Sequence, residues 1–186
     1  GGGGGGGGFR PDAKTVEALD DRVLAAVEAD VYWCLTSLCS PLQTHYTANQ
    51  PGLQLLTHTL ETITARTCTP LHAHLTNLGV PYIQFSFRWF NCLLVREFSP
   101  PTTCRLWDTC LSEADSGFST FLAYVAASML ARFKGEICAM DDVGDALMRL
   151  QDLGTKGWGE EDVKVLVGEA FVLKTLFEGS KAHLEG

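Results

Sequence analysis

Few side chains in this 186-residue chain have the type and spacing to do chemistry. The pair His72-x-His74 is the first that could hold a metal. Two residues apart on a helix lie about 200° around the axis, so the two imidazoles face opposite sides and do not share an ion. None of the five histidines has a carboxylate at i+4 to build on, so they read as solvated surface groups and no metal site is expected. The seven cysteines, at 34, 39, 68, 92, 104, 110 and 138, include no C-x-x-C pair. Cys34, Cys92 and Cys110 fall in apolar helical stretches, where cysteine acts as a small hydrophobe. An odd count without metal spacing argues for a reducing, intracellular compartment and against a disulfide framework. There is no G-x-S-x-G elbow and no G-x-x-x-x-G-K-[ST] loop, so neither an activated serine nor a phosphate cradle is expected.

Two dense aromatic-charged motifs remain. Phe87-Arg88-Trp89-Phe90 embeds a cation in the most apolar stretch of the chain, and Arg105-Leu106-Trp107-Asp108 repeats the mixture. Arg105 and Asp108 at i, i+3 can pair on one helix face. A buried guanidinium needs carbonyls or a carboxylate, and Glu97 is the candidate for Arg88. On residue chemistry alone these motifs hold a core together, and the chain reads as a helical interaction module.

The elements that must position them are helical nearly throughout, because the apolar period is three to four residues and no segment alternates with period two. Val16, Leu19, Val23, Ala26 and Val27 predict one helix. Val31, Leu35 and Leu38 predict a second that stops near Pro41. Gln43 to Gly52 reads as a loop punctuated by Pro51-Gly52. Leu53 to Thr67 follows as a helix, and Pro70 opens a short one that stops at Gly79. Pro81 starts the next, with Ile83, Phe87, Phe90 and Leu94 as its stripe, apolar over so much of its circumference that burial on most sides is expected. Pro100-Pro101 ends it, and Thr102 or Thr103 caps the helix through Trp107. Phe118 to Phe133 is a helix, Asp141 caps Val143 to Leu153, and a last helix starts near Trp158 with stripe Val163, Leu166, Val167, Ala170 and Phe171. The fold class is all-α, a bundle-like array of about eight helices.

Composition narrows the function classes. With 14 basic against 22 acidic residues the formal net charge is −8, which argues against nucleic acid and against broad binding to acidic membranes. The uncharged stretch Ser116 to Ala131 is too short and too polar to span a bilayer and reads as a buried core helix; no transmembrane segment is expected. Gly1 to Gly8 is a flexible linker, a loop remnant or a cloning artefact, so residues 1–15 are set aside and the domain is taken as 16–186.

Taken in order, Asp30-Val31-Tyr32-Trp33-Cys34, Tyr46-Thr47-Ala48-Asn49-Gln50-Pro51-Gly52, Phe85-Ser86-Phe87-Arg88-Trp89, Arg96-Glu97-Phe98, Arg105-Leu106-Trp107-Asp108-Thr109 and the tail Leu150-Gln151-Asp152-Leu153 with Trp158 and Glu161-Asp162 resemble the second half of a TBC domain, most like its Gyp-type branch. The resemblance covers roughly residues 16 to 178. It implies a GTPase-activating protein for Rab-family small GTPases, acting on the GTP state in the cytoplasm or peripherally on endomembranes. No cofactor of its own is implied, since Mg²⁺ and GTP come with the GTPase. Such domains supply an arginine from I-x-x-D-x-x-R and a glutamine from Y-x-Q; an arginine finger is worth about 10³–10⁵ in rate.

The first pattern is absent here. Tyr82-Ile83-Gln84 spells the second, but it sits in the wrong place in the family order and opens the most apolar helix, so it is set aside. Arg88, Trp89, Glu97, Arg105, Trp107 and Asp108 match structural motifs, and no catalytic residue is assigned to this chain. The expectation is a C-terminal half that supplies scaffold and part of the docking surface and exposes apolar area belonging against an N-terminal half. The resemblance places Tyr46, Asn49, Gln50, Pro51 and Gly52 near the GTPase-binding groove; the residues alone read equally as a turn between helices. The rival reading is a non-catalytic scaffold derived from a TBC domain.

Overall fold

A computed structural model describes residues 19–113 and 117–182; the side chains of 178–182 are left aside. The glycine run and the rest of residues 1–15 lie outside the described residues. The chain divides into two compact units, residues 1–40 and 41–186.

In the first unit the two expected helices are one, α1, Asp21–Cys39. Nothing between Val27 and Val31 is a glycine or proline that would break the backbone ladder, so the helix continues through. The Asp20 carboxylate caps it, accepting the Arg22 N–H at 2.8 Å, and Pro41 beyond it lacks the N–H to extend it. No α1 residue is buried. Cys34 is therefore exposed, and Trp33 is 66% exposed. The stretch Asp21–Tyr46 is long and apolar enough to cross a membrane by length and composition, which the sequence reading did not count. Asp30 in its middle opposes that use, at about 2.5–3.5 kcal/mol for a charge at the centre of a spanning helix.

The second unit holds a single turn α2 (Gln43–Tyr46), then α3 (Pro51–Thr67), α4 (Thr69–Leu78), α5 (Ile83–Asn91), α6 (Pro100–Ser112), a π-helical segment Gly117–Phe121, α7 (Leu122–Ile137), α8 (Val143–Gln151) and α9 (Glu160–Ala182). No strand occurs among the described residues, and the fold is all-α. Helix α7 is central: Leu122 to Leu130 are buried without exception, and α3, α4, α8 and α9 pack on it. The uncharged stretch is thus the core helix expected of it.

Several boundaries moved for identifiable reasons. Pro51 and Gly52 belong to α3, because proline is pre-set for the first helical turn, and the loop shrinks to residues 47–50. Likewise Pro100-Pro101 open α6 behind Ser99. Asp142, one residue past the expected Asp141, caps α8 and accepts from Gly144 and Asp145 N–H at 2.7 and 3.1 Å. Helix α5 buries only Phe85, Ser86, Trp89 and Phe90, while Ile83 and Phe87 are about two-fifths exposed. The stripe assumed for it had run on through Leu94, which lies beyond the helix in a turn. On α9, Phe171 is half exposed, and Val163, Leu166 and Ala170 face the core.

Candidate functional site

The motifs converge on the exit of α5. The helix stops at Asn91 without glycine or proline, and the next turn places Leu93 and Leu94 at φ 48° and 62°. A left-handed leucine costs roughly 1–2 kcal/mol, so something must hold both. Leu94 is fully buried and Leu93 nearly so, and burying a leucine is worth about 1.5–3 kcal/mol, enough to offset the strain. Hydrogen bonds fix the geometry. The Leu94 N–H donates to Trp89 O at 2.8 Å, Trp107 Nε1 donates to Leu93 O at 2.9 Å, and the Tyr46 hydroxyl donates to Asn91 O at 3.0 Å.

Tyr46 brings a second unusual turn alongside. Asn49 (φ 63°) and Gln50 (φ 44°) are also left-handed. The Gln50 N–H donates to Thr47 O at 2.9 Å, and Gln54 Nε2 donates to Asn49 O at 2.6 Å. Among the described residues these four are the non-glycine positions with positive φ, and they occupy two turns tied by one phenol. Tyr46, Asn49 and Pro51 are exposed on this knuckle, as are Val95 and Arg96; Gln50 and Gly52 are half-buried. Gly52 is required for its close approach: a Cβ there would lie 2.4 Å from His45 Cδ2 and 2.5 Å from Thr44 Oγ1. Because those are side-chain atoms that can shift, Gly52→Ala is expected to cost about 1–3 kcal/mol, read as a lower midpoint in urea unfolding.

His45 beneath the turn is buried with Nδ1 unpartnered, and burial holds its pKa below the ordinary value. Histidine as a solvated surface group therefore fails here, and His72 and His74 are half-buried. His72 Nδ1 lies 3.2 Å from the Tyr82 hydroxyl, and His74 Nε2 is 3.0 Å from Met140 O.

Behind the exit turn lies an ionic clamp. Arg88 Nε and Nη2 donate to Glu97 Oε1 and Oε2 at 3.0 and 3.1 Å, and Nη2 also donates to Gln151 O. Glu97 is 3% exposed, and its own carbonyl accepts the Thr155 hydroxyl at 2.6 Å. Burial pushes the Glu97 carboxyl above its usual range, and the Arg88 charge pulls partly back. The clamp thus joins α5, the exit turn, the end of α8 and the following 3-10 turn, Thr155–Gly157. Arg105 does not pair with Asp108 as expected; it donates to the Thr109 hydroxyl at 2.9 Å. Asp108 is exposed, and both line a crevice of about 260 Å³ with Cys104 and Glu160. Of the sequence-selected residues, Tyr46, Arg88, Trp89, Glu97 and Trp107 meet around Asn91–Glu97, while Arg105 and Asp108 do not join them. Thr155 and the left-handed leucines were missed. A leucine carries no local signal for positive φ, and Thr155 acts across 58 positions of sequence.

The arrangement holds no activated acid, base or nucleophile. Tyr82 is pushed up to about 12 by burial, and burial likewise raises the Cys110 thiol to about 12. Both are inert near neutrality. Among the described residues no three histidine, cysteine, aspartate or glutamate side chains converge on a point that could hold an ion. What remains is a rigid, partly polar surface suited to contact.

Comparison with known proteins gives that surface a family. Residues 22–138 match the Rab-GTPase-TBC domain. The chain is 41% identical over 175 residues to the GTPase-activating protein gyp1 of Schizosaccharomyces pombe, covering 94% of this chain and 34% of that protein. It is 42% identical over 172 residues to human TBC1 domain family member 22A, covering 92% and 33%. The crystal structure of the Ypt/Rab-GAP domain of Gyp1p superposes with a TM-score of 0.79 at 36% identity, over 88% of this chain and 50% of that one. The chain spans about a third of the length of the curated relatives it matches. The chain belongs to the Rab-GTPase-TBC domain family.

Proposed function

We propose that the protein containing this chain accelerates GTP hydrolysis by a Rab-family small GTPase, and that these residues supply scaffold and part of the docking surface. The observation that carries the reading is the match of residues 22–138 to the Rab-GTPase-TBC domain, with its like fold in a Rab-GAP domain at 36% identity. The GTPase would be engaged in its GTP state, bringing the nucleotide and Mg²⁺ with it. The docking contribution is assigned to Tyr46, Asn49, Gln50, Pro51 and Gly52, supported by the stiff backbone of the paired turns: a surface already ordered loses little entropy on binding. Action in the cytoplasm or at the face of an endomembrane belongs to the same proposal.

The arginine and glutamine that stabilise the transferring phosphoryl group are proposed to lie in the other half of the domain, since no I-x-x-D-x-x-R occurs here. Gln84 needs a separate argument. Its side chain is exposed, so burial does not exclude it as the glutamine of Y-x-Q; setting it aside rests on its position ahead of F-x-F-R-W, out of the family order. The test is single-turnover GTP hydrolysis on a panel of Rab proteins. The full-length protein is expected to stimulate at least one of them by about 10³ or more, Gln84→Ala is expected to keep that rate, and the 186 residues alone are expected to leave hydrolysis at its intrinsic rate. Stimulation above about tenfold by these residues alone would overturn the assignment of both groups elsewhere. No stimulation by the full-length protein on any Rab would favour the scaffold reading.

A further inference from the structure

A groove of about 680 Å³ runs between α7 and α9, lined by Ser128, Ala131, Val165, Gly168, Val172 and Leu173. Three features of it have no explanation inside the described residues. Val165, Val172 and Leu176 are 54%, 57% and 67% exposed and recur along α9 at i, i+7 and i+11, so they continue the apolar lining on one helix face. Gly168 sits in the interior of α9, where glycine costs roughly 0.5–1 kcal/mol against alanine, yet nothing lies within 4 Å of where its Cβ would be. Ser128 is 1% exposed and its hydroxyl has no hydrogen-bond partner, a state that costs about 1–3 kcal/mol.

An exposed apolar stripe and a site stripped of side chain describe a seat for another helix. We propose that this groove receives a helix from the part of the full-length protein outside these residues, its backbone lying over Gly168. The inference rests on the reading above, that this chain is part of a larger GAP domain. The occupant follows from the comparison: the solved Ypt/Rab-GAP domain carries as much chain again beyond the part matched. The charges beside the groove are already satisfied in pairs, Arg132 with Glu169 at 2.9 Å and Lys164 with Glu161 at 2.8 Å. They offer nothing to a partner recruited by charge, so an uncharged helix face is the chemistry that fits.

Cysteine labelling of the full-length protein tests it, read peptide by peptide by mass spectrometry. Val172→Cys and Val165→Cys are expected to react with a small maleimide at least tenfold more slowly than Met148→Cys, whose site is 65% exposed. A short thiol-to-amine cross-linker placed at Val172→Cys should capture a peptide from outside these 186 residues of the same polypeptide. Labelling as fast as at Met148→Cys would overturn the proposal. So would slow labelling that becomes fast on dilution, with cross-links to the same peptide of a second copy. GTP hydrolysis measured on the same variants separates the two claims: a covered groove without GAP activity sinks only the functional reading, and activity with an open groove sinks only this one.

Discussion

Gly117→Ala is expected to cost at least about 4 kcal/mol, a large part of the 5–15 kcal/mol that holds a domain together. Gly117 opens the π-helical segment where it crosses the last turns of α6, and a Cβ there would sit 1.7 Å from Cys110 O and 2.6 Å from Cys110 C. Those are backbone atoms. No rotamer relieves the overlap, so α6 and the π segment must separate, opening the core around Cys110 and Phe121, both fully buried. At about 2–4 °C per kcal/mol for a chain of this size, the melting temperature should fall by roughly 8–16 °C, read by circular dichroism. Gly135→Ala is the control. It lies exposed in the last turn of α7 with nothing within 4 Å of its Cβ position and should gain up to about 0.5–1 kcal/mol. Equal melting temperatures for the two variants would refute the close approach at Cys110.

The second large effect belongs to the ionic clamp. Arg88→Ala leaves Glu97 buried and uncompensated, and breaking such a pair costs about 3–5 kcal/mol when both groups are dry. The Arg88 side chain is 35% exposed, so about 2–4 kcal/mol is expected. The double variant Arg88→Met/Glu97→Leu, which removes both charges and keeps the volume, should recover most of the loss. The pH dependence carries a definite sign. Burial already raises the folded pKa of Glu97, and losing the guanidinium raises it further, so the folded state of Arg88→Ala binds a proton more tightly than the unfolded chain. The deficit is therefore full at neutral pH and shrinks as pH falls through the raised pKa toward the ordinary carboxylate range. Urea unfolding at pH 7.5 and pH 5 should show the gap between wild type and Arg88→Ala narrowing. A gap that widens on acidification would mean that Glu97 is not the group left stranded.

Much of this was legible in the sequence, and what was not has physical causes. Period and punctuation locate α3, α4, α7 and α9 because their core-facing residues recur at helical spacing, proline opens α3 and α4, and glycine stops α4 at Gly79. Those rules misplace Pro51 and Pro100, since proline both terminates one helix and begins the next. They also overstate α5, whose aromatic residues surround it while the packing uses one side. The partners of Arg88 could be named because guanidinium chemistry demands a carboxylate and Glu97 is near in sequence. The geometry of the knuckle could not be, because Leu93 and Leu94 are held left-handed by burial and by carbonyl contacts from distant residues.

That distance bears on how the chain folds. The bonds that hold the α5 exit turn span 14, 45 and 58 positions, from Trp107, Tyr46 and Thr155. Helical bonds span four, and each long closure is entropically costly before its contacts reward it. The turn therefore assembles after the helices have docked, on the native side of the folding barrier. Changes at Tyr46, Trp107 or Thr155 should leave the refolding rate nearly untouched and appear as faster unfolding, so this surface sets the lifetime of the folded protein more than the speed at which it is made.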